Sequence, residues 1–230
     1  VPLKYYACTE PDMDGVKVVA GEWESKETDK RAMQVVGDVV HEYMLNGQGK
    51  KFIGFAASIV HAQELQRQFI AAGINVATYT ADDQPEDRAE IVQEFKKEDS
   101  TIRGILSVEA LTRGFDVASV EVLILARPLR TALAVHVQML GRVMRTSEGK
   151  TEAIVLDHSG NVARFWNQVN ELFEHGVTEL DDGKKKEKPK RHTDLRILAV
   201  LVLLLAILTA AFHFLIASQP EAENALSARK

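Results

Sequence analysis

The chain has 230 residues, with 28 Lys and Arg against 33 Asp and Glu, a formal net charge of −5. That balance excludes a broadly basic nucleic-acid coat protein but leaves room for a locally basic groove. The single cysteine, Cys8, excludes an internal disulfide framework and any multi-cysteine zinc ribbon. The first residue is Val1 rather than Met, as in a processed chain or a fragment.

In chain order, the first strong periodicity is an amphipathic helix over Lys30–Leu45, with Met33, Val36, Val39, Val40, Tyr43 and Leu45 apolar. Lys51–Ala56 (KFIGFA) then predicts a strand, and His61–Ala72 a helix with Leu65, Phe69 and Ile70 on one side. Gly73 falls where a helix C-cap belongs. Asn75–Thr78 is a short second strand, and Pro85 opens a helix through Lys97 that lines up Ile91, Val92 and Phe95. Thr101–Ser107, Val120–Ala126 and Glu152–Asp157 read as further strands, with a helix over Thr131–Met144 between the last two. Continuous apolar strands alternating with helices predict an α/β fold, a parallel sheet covered on both faces. Ligands of such sheets bind in the loops after the carboxyl ends of the strands. The loops after Ala56, Ser107, Ala126 and Asp157 are therefore the expected places for chemistry.

The composition changes near the C-terminus. Lys184–Arg191 (KKKEKPKR) has six positive residues against one glutamate. Ile197–Ala217 follows without a charge, interrupted only by Thr209 and His213. A helix of that length spans about 32 Å, close to a bilayer core. The expectation is one transmembrane helix over 195–217, a basic linker over 176–194 and a short tail over 218–230. Basic residues before a span favour the cytoplasmic side. The lobe N-terminal to the span would then be cytoplasmic and anchored at the membrane. Residues 1–180 hold 19 basic and 27 acidic residues, a net of −8, so the mild overall charge is a sum of unlike parts.

Two stretches carry most of the chemistry. Gln138–Arg145 (QMLGRVMR) spaces two arginines three apart, on one helical face, with Gln138 four residues before Arg142 and Gly141 leaving room beside it. Guanidinium groups are permanently charged forks suited to phosphate. Ser107–Asp116 (SVEALTRGFD) follows a predicted buried strand. It offers a serine, a hydroxyl and a charge at Thr112 and Arg113, a flexible Gly114, and the Asp116 carboxylate for a sugar hydroxyl.

FAASIVHAQEL (Phe55–Leu65), SVEALTRGFD and QMLGRVMR, in that order, resemble motifs IV, V and VI of superfamily 2 helicases. AIVLDHSGNVARF (Ala153–Phe165) resembles the end of the same lobe in phage- and prophage-type DEAD/DEAH helicases. The resemblance covers about Lys30 to Glu174 and implies the second RecA-like lobe, bounded here as residues 1–175. By position it implies that Arg142 and Arg145 reach the ATP γ-phosphate, Arg145 as the arginine finger, with Gln138, Gly114 and Asp116 near the nucleotide. It implies that Ser58, His61, Ser107 and Thr112 lie near the nucleic-acid backbone or the coupling interface, with Arg88 a looser match. The bland readings beside these are N-caps for Ser58 and Ser107, a surface position for His61, and an Arg88 pair with Glu86 or Asp87.

No G-x-x-x-x-G-K-[ST] loop and no D-E-x-[DH] box occurs in the sequence. ATP and Mg2+ would be held mainly by a first lobe outside this sequence, and the chain alone is expected not to hydrolyse ATP. The histidines show no ligand spacing, so no metal site is expected. Besides the N-terminal helicase lobe, the expected partners are nucleic acid, met through its phosphates, and a membrane through 195–217. The competing class is a non-enzymatic, membrane-tethered nucleic-acid-binding or regulatory module, or the remnant of a truncated helicase. A different doubly wound enzyme is disfavoured because no nucleophile–base pair or dinucleotide fingerprint is present.

Overall fold

A computed structural model describes residues 1–108, 115 and 117–176. The expected basic linker, membrane span and tail fall outside these residues, Gly176 apart, as do Thr112, Gly114 and Asp116. No helix among the described residues is long and apolar enough to cross a membrane.

The predicted α/β architecture is present. Six strands form one fully parallel sheet: β1 (Leu3–Ala7), β4 (Phe52–Ala56), β5 (Val76–Tyr79), β6 (Gly104–Ser107), β7 (Val122–Ala126) and β8 (Ala153–Asp157). Their spatial order is β1-β8-β7-β4-β6-β5. β2 (Val18–Val19) and β3 (Glu22–Trp23) form a separate antiparallel hairpin. The helices are α1 (Ser25–Ala32), α2 (Val36–Glu42), α3 (Ile59–Ala71), α4 (Pro85–Lys96), α5 (Leu133–Val143) and α6 (Asn161–His175).

Every residue of β4, β6, β7 and β8 is buried, which is why these segments read as unbroken apolar runs. Alternate side chains feed two cores. Ile53, Phe55, Leu123 and Leu125 pack with Phe95 of α4, Met139 and Leu140 of α5 and Phe165 of α6. Phe52, Val122 and Ile124 point the other way, onto Val39 of α2 and Leu65 and Phe69 of α3. Phe52 sits against Tyr43 and Phe69, with ring centroids 4.6 and 4.9 Å apart. Gly104 is required beneath it, because a Cβ there would enter the Phe52 ring.

The α3 terminus behaves as the sequence predicts. Gly73 adopts φ +79°, its N–H donates to Ile70 and that of Ile74 to Phe69, each at 2.9 Å, giving a Schellman closure. Upstream, the expected single helix over Lys30–Leu45 is broken. α1 starts earlier, at Ser25, because the Glu24 carboxylate accepts from the N–H groups of Lys26 and Glu27 at 3.1 and 2.8 Å. A 3-10 turn at Met33–Val35 separates α1 from α2, and a π-turn over Tyr43–Gly47 ends the run. Paired valines followed by Gly37 are weak helix formers at that junction.

Candidate functional site

Strand register assembles the carboxyl edge. Tyr79, Ser107, Phe55, Leu125, Asp157 and Ala7 are Cα partners in one row across all six strands. The loops after β4, β6, β7 and β8 leave from this row, as the parallel sheet predicts.

Ser58 stands in the loop after β4. Its Oγ accepts from the His61 N–H at 3.0 Å, so it is the N-cap of α3, and it donates to the Asp29 carboxylate. His61 is fully buried rather than a surface residue. Its Nδ1 accepts from the Ala57 N–H at 3.2 Å, and burial lowers its pKa to about 4. It is therefore neutral at physiological pH and acts on the loop by holding the loop backbone. Ser107 closes β6 and is buried. Arg88 extends from α4 over the Tyr79 ring, 5.7 Å from the centroid, so its described partner is an aromatic face rather than Glu86 or Asp87. Register sets Tyr79 beside Ser107, and Arg88, Ser107, Ser58 and His61 thus share one edge.

The arginines lie elsewhere. α5 leaves the carboxyl edge after β7 and runs back against the strand direction, so its end reaches the amino edge. Arg142 is in its last turn, and its Nη1 donates to the Phe115 carbonyl at 3.3 Å. That bond joins α5 to the stretch between Gly114 and Asp116. The helix ends at Val143, so Arg145 stands beyond the cap instead of on a continuing helical face. Gln138 is exposed midway along α5. Ser58 and Ser107 thus stand at the carboxyl ends of strands, as expected of that edge, while Arg142 and Arg145 stand at the opposite edge.

Lys150 explains the position of α5's end and escaped the sequence reading. It is 8% exposed, and its Nζ donates to the carbonyls of Val120 (2.5 Å), Val143 (2.6 Å), Arg145 (2.9 Å) and Ala118 (3.3 Å). Burial pushes the ammonium down to about 8, against the pull of Glu121, which leaves it charged at neutral pH. A lone Gly-Lys pair shortly after the arginines was the only signal available.

Two further residues were missed. Asp157 accepts from the Ser159 hydroxyl (2.6 Å) and the N–H groups of Ser159 (3.0 Å) and Val162 (2.7 Å), opening α6. Fully buried Asn161 accepts from the Leu129 N–H and donates to the Arg127 carbonyl, both at 2.9 Å, pinning the loop after β7. The spacing D-x-S-x-N was their signal. Burial pushes the half-buried Cys8 thiol up to about 12, which keeps it protonated at neutral pH.

The helicase conserved C-terminal domain family matches residues 34–147. A 51.5 kDa protein of Lactococcus phage (isolate 7-9) is 29% identical over 161 residues, 70% of this chain and 35% of that protein. The Saccharomyces cerevisiae protein assigned as ATP-dependent helicase IRC3 is 27% identical over 111 residues, 48% of this chain and 16% of its own length. The chain thus spans about a third or less of these curated relatives. Among solved structures, the C-terminal domain of the DEAD-box protein Dbp5 superposes with a TM-score of 0.52 at 18% identity, covering 75% of this chain and 85% of that one. At that identity the likeness is one of fold.

Proposed function

Because residues 34–147 match the helicase conserved C-terminal domain family, we propose that this chain belongs to it and serves as the second motor lobe of an ATP-dependent helicase or translocase. The observation that carries the reading is the Arg142 bond to the Phe115 carbonyl at 3.3 Å. It fixes a permanently charged fork beside the motif V stretch, at the end of the molecule away from Ser58 and Ser107. One end of the lobe then faces nucleotide, and the carboxyl edge faces the phosphate backbone.

The donor chemistry fits a phosphate: Arg142 and Arg145 would stabilise charge that develops on the γ-phosphoryl group, Arg145 as the finger. Mg2+ would be held mainly by a first lobe carrying the Walker motifs, as the family resemblance implies. Gln138, Gly114 and Asp116 would complete the nucleotide side. Ser58, Ser107, Thr112 and Arg88 would meet backbone phosphates without reading bases, with His61 shaping the loop. The stretch 195–217 would tether the lobe to a membrane.

The test is nucleic-acid-stimulated ATP hydrolysis by the chain alone and by the chain fused behind a Walker A lobe. The chain alone stays silent, and the fusion turns over in a manner abolished by Arg145→Ala. Turnover by the chain alone that Arg145→Ala abolishes would overturn the division of labour. A fusion indifferent to Arg145→Ala would overturn the arginine's role.

A further inference from the structure

The N-terminal segment lays acidic side chains across the edge assigned above to nucleic acid. Three of the edge loops each receive one. After β8, the Glu10 carboxylate lies against Gly160 at the head of α6, where an added Cβ would run into it. After β7, the Glu22 carboxylate accepts from the N–H groups of Arg130 and Thr131, both at 2.7 Å, and from the Thr131 hydroxyl at 2.8 Å. After β4, Asp29 accepts from the Ser58 hydroxyl.

Two adjacent N–H groups with a hydroxyl, and a second hydroxyl one loop away, are the donor types that bind phosphodiester oxygens. Burial works against ionisation of Glu22, yet the N–H groups of Arg130 and Thr131 and the Thr131 hydroxyl hold its carboxyl below the usual range. It is therefore a fully charged anion in an anion's place. Two neighbouring acids are spent locally: Glu24 caps α1, and Glu27 pairs with Arg31 at 3.1 Å. The hairpin itself is lightly built. It has two residues in each strand, and Val18 and Val19 are 43% and 51% exposed. Beneath it, between the loops after β4 and β7, a cavity of 120 Å³ is lined by Trp23, Ala57, Arg127 and Leu129.

We infer that Glu22 and Asp29 form a built-in competitor for nucleic-acid phosphate, occupying the donors of Arg130, Thr131 and Ser58 so that a phosphodiester must displace them to dock. This rests on the proposed function. Binding then carries a threshold: a polyanion dense in phosphate displaces both carboxylates, while an isolated phosphate group does not.

The test is fluorescence anisotropy with the full chain and a labelled oligothymidylate at low salt. Glu22→Gln and Asp29→Asn keep the hydrogen-bond acceptor and remove the charge; each tightens binding about fivefold, the order of one solvent-screened unit charge at contact distance. Glu27→Gln removes the same charge from the same segment but faces Arg31, and it changes affinity less than about twofold. Equal shifts in all three variants overturn the inference and leave the proposed function standing. On the unmodified chain, the Arg130 and Thr131 amide resonances shift as oligothymidylate is added. Amides that stay put while the oligonucleotide binds overturn the inference without recourse to any variant. Absence of binding by every form overturns the proposed function together with it.

Discussion

Lys150 Nζ donates to the Val143 carbonyl at 2.6 Å and to the Arg145 carbonyl at 2.9 Å. One ammonium therefore ends α5 and holds the backbone that carries the proposed arginine finger, while its bond to Val120 ties both to the start of β7. Lys150→Met leaves these buried carbonyls without a donor, and it costs about 3 kcal/mol. The urea unfolding midpoint reads this directly, and a midpoint within error of the parent would show that the staple is dispensable.

Acid should loosen the fold through its buried histidines, His61 and His136 above all. His61 is completely buried and His136 is 1% exposed, and burial lowers both to about 4. Among the described residues, His61 Nε2 and His136 Nδ1 have no hydrogen-bond partner. In the unfolded chain both titrate near 6.5. Between pH 6.5 and 4 the unfolded state therefore binds more protons, so stability falls as pH falls through this window and levels off below it. Each histidine removes on the order of 2–3 kcal/mol across the window. Melting midpoints from pH 7 to 4 follow the loss. His136→Leu, which keeps an apolar contact to Phe165, flattens part of the slope; an unchanged slope would remove His136 from the account.

Contacts confined to phosphates make oligonucleotide affinity fall steeply with salt and respond little to sequence. Arg88→Ala lowers the salt slope by about 1 if that side chain meets one phosphate. Its present partner is the Tyr79 ring, 5.7 Å away, so Arg88→Lys retains the slope. A slope equal in parent and Arg88→Ala would take Arg88 out of the interface.

For the apolar stretch 197–217, the expected outcome is retention of the chain in membranes after carbonate extraction. Deleting residues 195–230 should release it. Recovery of the complete chain in the carbonate supernatant would remove the tether from the proposed function.

The interior strands were legible because burial on both faces writes an unbroken apolar run, as in VLILA and AIVLD. β1 was not, since LKYYA lies at the sheet's edge, where no residue is fully buried and the half-buried and exposed positions do not strictly alternate. The hairpin was invisible too: strands of two residues have no period to detect. The arginine motif was readable, but its place in the fold was not. The spacing of Arg142 and Arg145 suggested one helical face, whereas a lysine five residues further on ends the helix between them. Long-range capping of this kind leaves little mark in local sequence. The same holds for Glu22 on Thr131 and Asp29 on Ser58, which join residues 109 and 29 positions apart.

α5 sets the two ends of the lobe in mechanical contact. It begins at Leu133, just after the loop held by Glu22, and ends at Val143, beside Arg142 and within the grip of Lys150. Eleven helical residues make a rod of about 16 Å. Its inward side is seated on the sheet through Met139 and Leu140. In the proposed motor, a pull on the guanidinium end would be delivered at the proposed phosphate-binding end as displacement, and a load on the strand would be returned by the same rod.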